Sequence, residues 1–156
     1  MLFAHLLGGC GGGGGTIAPP PPSPPPPAAP PPNLLLGADP HVAIFDGRYW
    51  IYRTSTVAEG SDKLYVYVAD SVSSNIDDWA RQGPILSLAD IAWADDDGAP
   101  VHHLWAPAIY EESGTYYLFF SVGPQNPTPS RIGVATADNP AGPFVDSGAP
   151  LLTGGA

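Results

Sequence analysis

Asp39 stands immediately before Pro40, at the head of the apolar run His41-Val42-Ala43-Ile44-Phe45. A proline disfavours the right-handed helical region for the residue before it, so Asp39 is predicted to be extended and its carboxylate to be carried by a stiff backbone. General acid or base chemistry needs that kind of fixed presentation. The competing use of Asp39 is local, as a turn cap bonded to its own backbone. His41 lies two residues on, on the same face of an extended strand, and is a second candidate contact. Other polar groups read less chemically. Asp95-Asp96-Asp97-Gly98 resembles part of a calcium loop without the Glu such a loop needs, and is expected to be exposed. Glu111 and Glu112 precede the Ser113-Gly114 turn and are expected to be solvated. His102 and His103 have no third ligand at metal spacing, so no metal site is expected.

The elements that must position Asp39 are strands. Asp46-Gly47 separates two runs of β-branched and aromatic residues, which is the pattern of a two-residue hairpin turn at positive φ. The segment then repeats. Asp39-Pro40 returns as Ala106-Pro107, Gly47 as Gly114, Tyr49 as Tyr116 and Ile51-Tyr52 as Leu118-Phe119. Val66–Asp70 matches Val134–Asp138, and Pro84-Ile85-Leu86 matches Pro150-Leu151-Leu152, with small slips in the offset. Tandem four-stranded units at about 37–86 and 104–152 predict an all-β chain built of propeller blades. Trp79 and Phe144, near the last strand of each unit, are expected to pack between blades, as are Tyr65, Tyr67, Tyr116, Tyr117, Phe119 and Phe120. In a propeller the first strand of each blade lines the central channel. The two units agree in scaffold residues and differ at Asp39 and Ala106, which argues that the acid is not there for folding.

The formal net charge of −10 and the lack of a basic run argue against nucleic acid or an anionic membrane as partner. One cysteine, Cys10, excludes a disulfide framework within the chain. Residues 11–33 are Gly- and Pro-rich and cannot bury apolar surface, which predicts a disordered or polyproline II stalk before a domain at 34–156. Residues 1–10 end in Leu7-Gly8-Gly9-Cys10, which resembles a bacterial lipoprotein cleavage box. That resemblance implies lipidation of Cys10 and export to the cell surface or periplasm, although the apolar run is short and no Lys or Arg precedes it.

Gly37–Val42, Phe45–Tyr52, Ser74–Trp79, Leu104–Ile109, Gly114–Ser121 and Ile132–Phe144, in this order and spacing, resemble glycoside hydrolase family 43. The resemblance implies a five-bladed β-propeller, of which about two blades are present. It also implies inverting hydrolysis of arabinose- or xylose-containing polysaccharides and oligosaccharides of plant cell walls. On the same basis Asp39 is the general base, and Trp105 lies near the pocket mouth, where its ring would meet a sugar face or serve the core. The family's general acid, a Glu of a later blade, and a third, pKa-tuning Asp would both fall beyond residue 156, so the chain alone is expected to be inactive. No cofactor is expected of these residues, and the ligands of a structural calcium would also lie further on. The complete domain is expected to be monomeric. A non-catalytic carbohydrate-binding propeller on a lipid anchor is the alternative.

Overall fold

The computed structural model describes residues 35–124, 126 and 129–153. The expectations for Cys10 and for the stalk fall outside them. Strands β1 (Ala38–Phe45), β2 (Arg48–Thr54), β3 (Lys63–Ala69) and β4 (Ala80–Ser87) form one antiparallel sheet in the order β1-β2-β3-β4. Strands β5 (His103–Glu112), β6 (Thr115–Gly123), β7 (Arg131–Ala137) and β8 (Val145–Asp146) form a second in the order β5-β6-β7-β8. Three 3-10 turns are the only helical elements among the described residues. The all-β expectation with two blades is met.

Both hairpins turn as read. Asp46 and Gly47 have φ of 51° and 73°, and Ser113 and Gly114 have 53° and 82°, between the pairs Phe45↔Arg48 and Glu112↔Thr115. Positive φ at both central residues matches the right-handed twist of the flanking strands.

The two sheets bury one shared core. Trp50, Tyr52, Leu64, Val66 and Val68 of the first meet Leu104, Ile109, Leu118, Phe120 and Val122 of the second, with Trp93 and Phe144 closing the edges. Each such side chain removed from water contributes about 1.5–3 kcal/mol. Trp93 stacks on Phe120 at 6.1 Å between centroids, and both lie over Gly133, where an added Cβ would sit 2.5 Å from the Phe120 ring. Polar bonds also cross the seam. Tyr52 donates its hydroxyl to Pro140 O at 2.6 Å, Leu104 N–H bonds Ser61 O at 2.8 Å, and Phe144 N–H bonds Ile85 O at 2.8 Å. Burial, with help from nearby Tyr116, pushes the Tyr52 phenol well above its ordinary range, so it stays a donor.

The aromatic expectations divide by face. Phe144, Phe120 and Tyr116 pack at the core between the sheets. Trp79 does not: with Tyr67 and Ala69 it forms a separate cluster, against which Tyr49, Ile51 and Tyr65 pack, on the face of the first sheet turned away from the second. Alternation along β6 places Tyr117 and Phe119 opposite the buried Leu118 and Phe120, on the outer face of the second sheet, where they are half-buried. Similar places in the repeat do not mean the same neighbour, because every blade has two faces.

Candidate active site

The first strand of each sheet is broken at the same point. The pairing of β1 with β2 shifts between Ala38 and His41, and that of β5 with β6 shifts between Trp105 and Ala108. Asp39 and Ala106 sit inside these bulges at φ of 51° and 47°. The extended backbone expected for Asp39 is therefore wrong. The residue before a proline avoids the right-handed helical region, but a bulge needs one residue out of line, and here that residue takes positive φ. Left-handed backbone costs a non-glycine residue roughly 1–2 kcal/mol, and Ala106, with no polar side chain to offset it, adopts the same turn.

Asp39 is exposed and lines an open hollow of about 270 Å³ with Trp105, Ala106, Ser121 and Ser130. The hollow thus lies across the seam between the two sheets. Asp39 Oδ2 accepts a hydrogen bond from Thr54 Oγ1 at 2.8 Å, and Thr54 Oγ1 in turn accepts the Ala106 N–H at 2.8 Å. Asp39 Oδ1 has no hydrogen-bond partner among the described residues. Nor does the carboxylate cap its own backbone, as the local alternative required. Trp105 is half-buried, pairs with Ser121 across β5 and β6, and has the His103 ring 5.7 Å away, held by Ser61 Oγ at 2.9 Å from His103 Nδ1. So Asp39 and Trp105 line the same hollow. His41 does not line the hollow, because the bulge breaks the two-residue alternation that placed it beside Asp39.

Thr54, Ser121 and Ser130 were not singled out from sequence. A signal existed for the first two. Thr54 and Ser121 are separated by the same interval as Asp39 and Ala106, and in register Thr54 faces Ala38 as Ser121 faces Trp105.

The other candidate acids have structural work. Arg131, only 8% exposed, donates to Asp96, to Trp93 O at 2.9 Å and to Ala94 O at 3.1 Å, and stacks over the Trp93 ring. Asp97 pairs with His102 at 2.7 Å and accepts the Ala99 N–H at 2.9 Å. The loop expected to be exposed is thus exposed at Asp95 and Asp96 and turned inward at Asp97, pinned by an arginine from β7. Glu111 and Glu112 are exposed, and Glu111 accepts the Gly114 N–H at 2.7 Å in its turn. Among the described residues no group of three or more His, Cys, Asp or Glu gathers as metal ligands would.

A partly buried acid lies on the far face of the first sheet. Glu59 accepts from Arg53 at 2.7 and 3.0 Å, from Thr56 N–H and Oγ1 at 2.8 Å, and from the Tyr67 hydroxyl. Burial pushes its carboxyl up, but these donors together outweigh it and hold the group at about 2. Such an acid is a permanent anion, suited to anchoring Arg53 rather than to exchanging protons.

Two four-stranded antiparallel sheets sharing a core, with one carboxylate at a hollow beside their first strands, define two blades of a β-propeller. The chain belongs to glycosyl hydrolases family 43, whose family model matches residues 72–155. It is 35% identical over 123 residues to a xylosidase/arabinosidase of Bacteroides ovatus, covering 73% of this chain and 36% of that protein. It is 32% identical over 109 residues to a probable arabinan endo-1,5-alpha-L-arabinosidase C of Aspergillus clavatus, covering 69% of this chain and 30% of that protein. Among solved structures, a GH43_1 enzyme of Xanthomonas citri in complex with xylose superposes with a TM-score of 0.59 at 28% identity, over 73% of this chain and 32% of that one. A GH43 beta-xylosidase/alpha-arabinofuranosidase from a compost metagenome, bound to xylotriose and described as a calcium-free form, gives 0.59 at 30% identity, over 73% of this chain and 35% of that one. The chain spans about a third of the length of the relatives it matches.

Proposed function

We propose that this chain supplies the first two blades of a glycosidase that hydrolyses arabinose- or xylose-containing polysaccharides and oligosaccharides with inversion, and that Asp39 is its general base. The observation that carries this is the contrast between Asp39 and Ala106. Both residues take the same strained turn at the same bulge, so the turn does not require an acid, and the acid stands in the hollow. Ionised Asp39 would take a proton from a water, whose oxygen attacks the anomeric carbon from the face opposite the leaving oxygen. A protonated second carboxyl, about 6.5–9.5 Å from the first, must give its proton to that leaving oxygen. The other residues lining the hollow, Trp105, Ala106, Ser121 and Ser130, include no carboxyl. The acid must therefore come from elsewhere in a complete enzyme, and the 156-residue chain alone is proposed to be inactive.

The test is turnover of nitrophenyl α-L-arabinofuranoside and β-D-xyloside by the complete enzyme. Asp39→Asn should lower kcat by at least a thousandfold with the fold retained, and NMR of the first product should show the inverted anomer. Full activity of Asp39→Asn would leave the second reading, a non-catalytic sugar-binding propeller, which the single carboxylate in the hollow also accommodates. Lipidation of Cys10 and a place at the bacterial surface or in the periplasm are proposed on Leu7-Gly8-Gly9-Cys10 alone. Incorporation of labelled palmitate, lost in Cys10→Ser, tests that proposal.

A further inference from the structure

We propose that Thr54 is a positioning residue for Asp39, with its hydroxyl proton directed onto the carboxylate by the backbone of the neighbouring sheet. This rests on Asp39 acting as the base. A threonine hydroxyl has one proton to give and two lone pairs to receive. The Ala106 N–H can only donate, and it occupies one lone pair of Thr54 Oγ1 at 2.8 Å. Ionised Asp39 can only accept, so the single Thr54 proton goes to Oδ2, also at 2.8 Å.

The direction of the chain is thereby set from the Ala106 amide through Thr54 to Asp39. Each link is held by covalent structure or register. Thr54 ends β2 opposite Ala38, the residue just before Asp39. The Ala106 amide is aimed by the second bulge, at a φ of 47°. With Oδ2 committed, Oδ1 is left for a water in the hollow. A base with one oxygen tied and the other presented cannot rotate freely away from its target, and misplacement of a reacting group by about 1 Å costs on the order of a hundredfold in rate. The bulge at Ala106 so acquires a task that its own side chain could not perform. It carries no acid but fixes the acid of the preceding blade.

The experiment uses the complete enzyme with Thr54→Val, which keeps the branched shape and loses the hydroxyl, and Thr54→Ser, which restores it. The expected result is a fall in kcat of about tenfold to a hundredfold for Thr54→Val with KM changed less than twofold, and recovery to within about threefold for Thr54→Ser. In an Asp39→Asn background, Thr54→Val should cause no further loss, because the group it positions is gone. Wild-type kcat in Thr54→Val while Asp39→Asn is dead overturns the positioning role and leaves the general base standing. An active Asp39→Asn enzyme overturns both. A Thr54→Val enzyme with a lowered melting temperature and equal losses with and without the Asp39 carboxylate would show Thr54 to be a structural fastening only, and would overturn the proposal. Should Thr54→Val fail to fold, Thr54→Ala and Thr54→Ser decide by the same comparison.

Discussion

Asp39 and Ala106 occupy the same bulge in successive sheets, with φ of 51° and 47°, and are joined through a single hydroxyl, that of Thr54. The acid and the alanine are thus equivalent in backbone and complementary in role. One provides a carboxylate and the other an amide, and both bond the same hydroxyl.

Because Ala106 has no side-chain reason for positive φ, Ala106→Gly should be tolerated, with stability changed by less than about 1 kcal/mol, as relief of strain offsets the entropy gained by the unfolded chain. Ala106→Val should cost more than about 1 kcal/mol, since a β-branched residue is poorly accommodated there. Urea midpoints of the two variants in the complete enzyme measure the difference.

Gly133→Ala should destabilise by about 1–3 kcal/mol through overpacking. Its new methyl would meet the stacked rings of Phe120 and Trp93, which have no open side to move into while Phe120 is 1% exposed. Loss of the Trp93–Phe120 contact should appear in the near-ultraviolet circular dichroism of the variant.

Glu59 gives a defined pH dependence. Its carboxyl is lowered from 4.5 to about 2 in the folded chain, so its contribution to stability is complete above about pH 4.5 and is lost as pH falls toward 2. The difference corresponds to about 3 kcal/mol. Glu59→Gln should be destabilised at pH 7, where it leaves Arg53 buried without its anion, and the gap from wild type should close as pH falls toward 2. A gap that does not change with pH would show that the carboxylate charge contributes nothing.

Trp105→Ala should raise KM for a xylo- or arabino-oligosaccharide roughly tenfold, as expected for loss of an aromatic face. His41→Ala should leave it unchanged, since His41 lies outside the hollow. Equal effects of the two substitutions would mean that the hollow is not where the sugar sits.

Both sheets have apolar residues on their outer faces. Val42 and Ile44 are 56% and 62% exposed on the first, and Tyr110 and Val145 are 56% and 71% exposed on the second. The isolated 156-residue chain should therefore self-associate or bind a hydrophobic dye, measured by light scattering and fluorescence. A monodisperse monomer with a sharp melt would contradict this.

The hairpins were legible because Asp46-Gly47 and Ser113-Gly114 act within two residues, and the blades were legible because the chain repeats. The turn at Asp39 was not, since its neighbour Pro40 argues for extended backbone and only register with β2 reveals the bulge. Thr54 escaped notice for a different reason: its partners Asp39 and Ala106 lie 15 and 52 positions away. Which face Trp79 packs on was not legible, because strand periodicity gives alternation but not which side meets which neighbour. Arg131 gave no local hint that it would reach back to the loop at Asp96 and turn an acidic run into an anchored one.

Within each sheet every strand pairs with its neighbour in sequence, so during synthesis the strands of the first sheet can pair once residue 87 has left the ribosome, before the second unit has emerged to pack on it. The Asp39 carboxylate would then be present while the Thr54 hydroxyl still lacks its bond from the Ala106 N–H. That bond arrives later, when the emerging second unit docks and delivers the Ala106 amide, so that the hydrogen-bonded chain from Ala106 through Thr54 to Asp39 forms as a by-product of stacking one blade on the next.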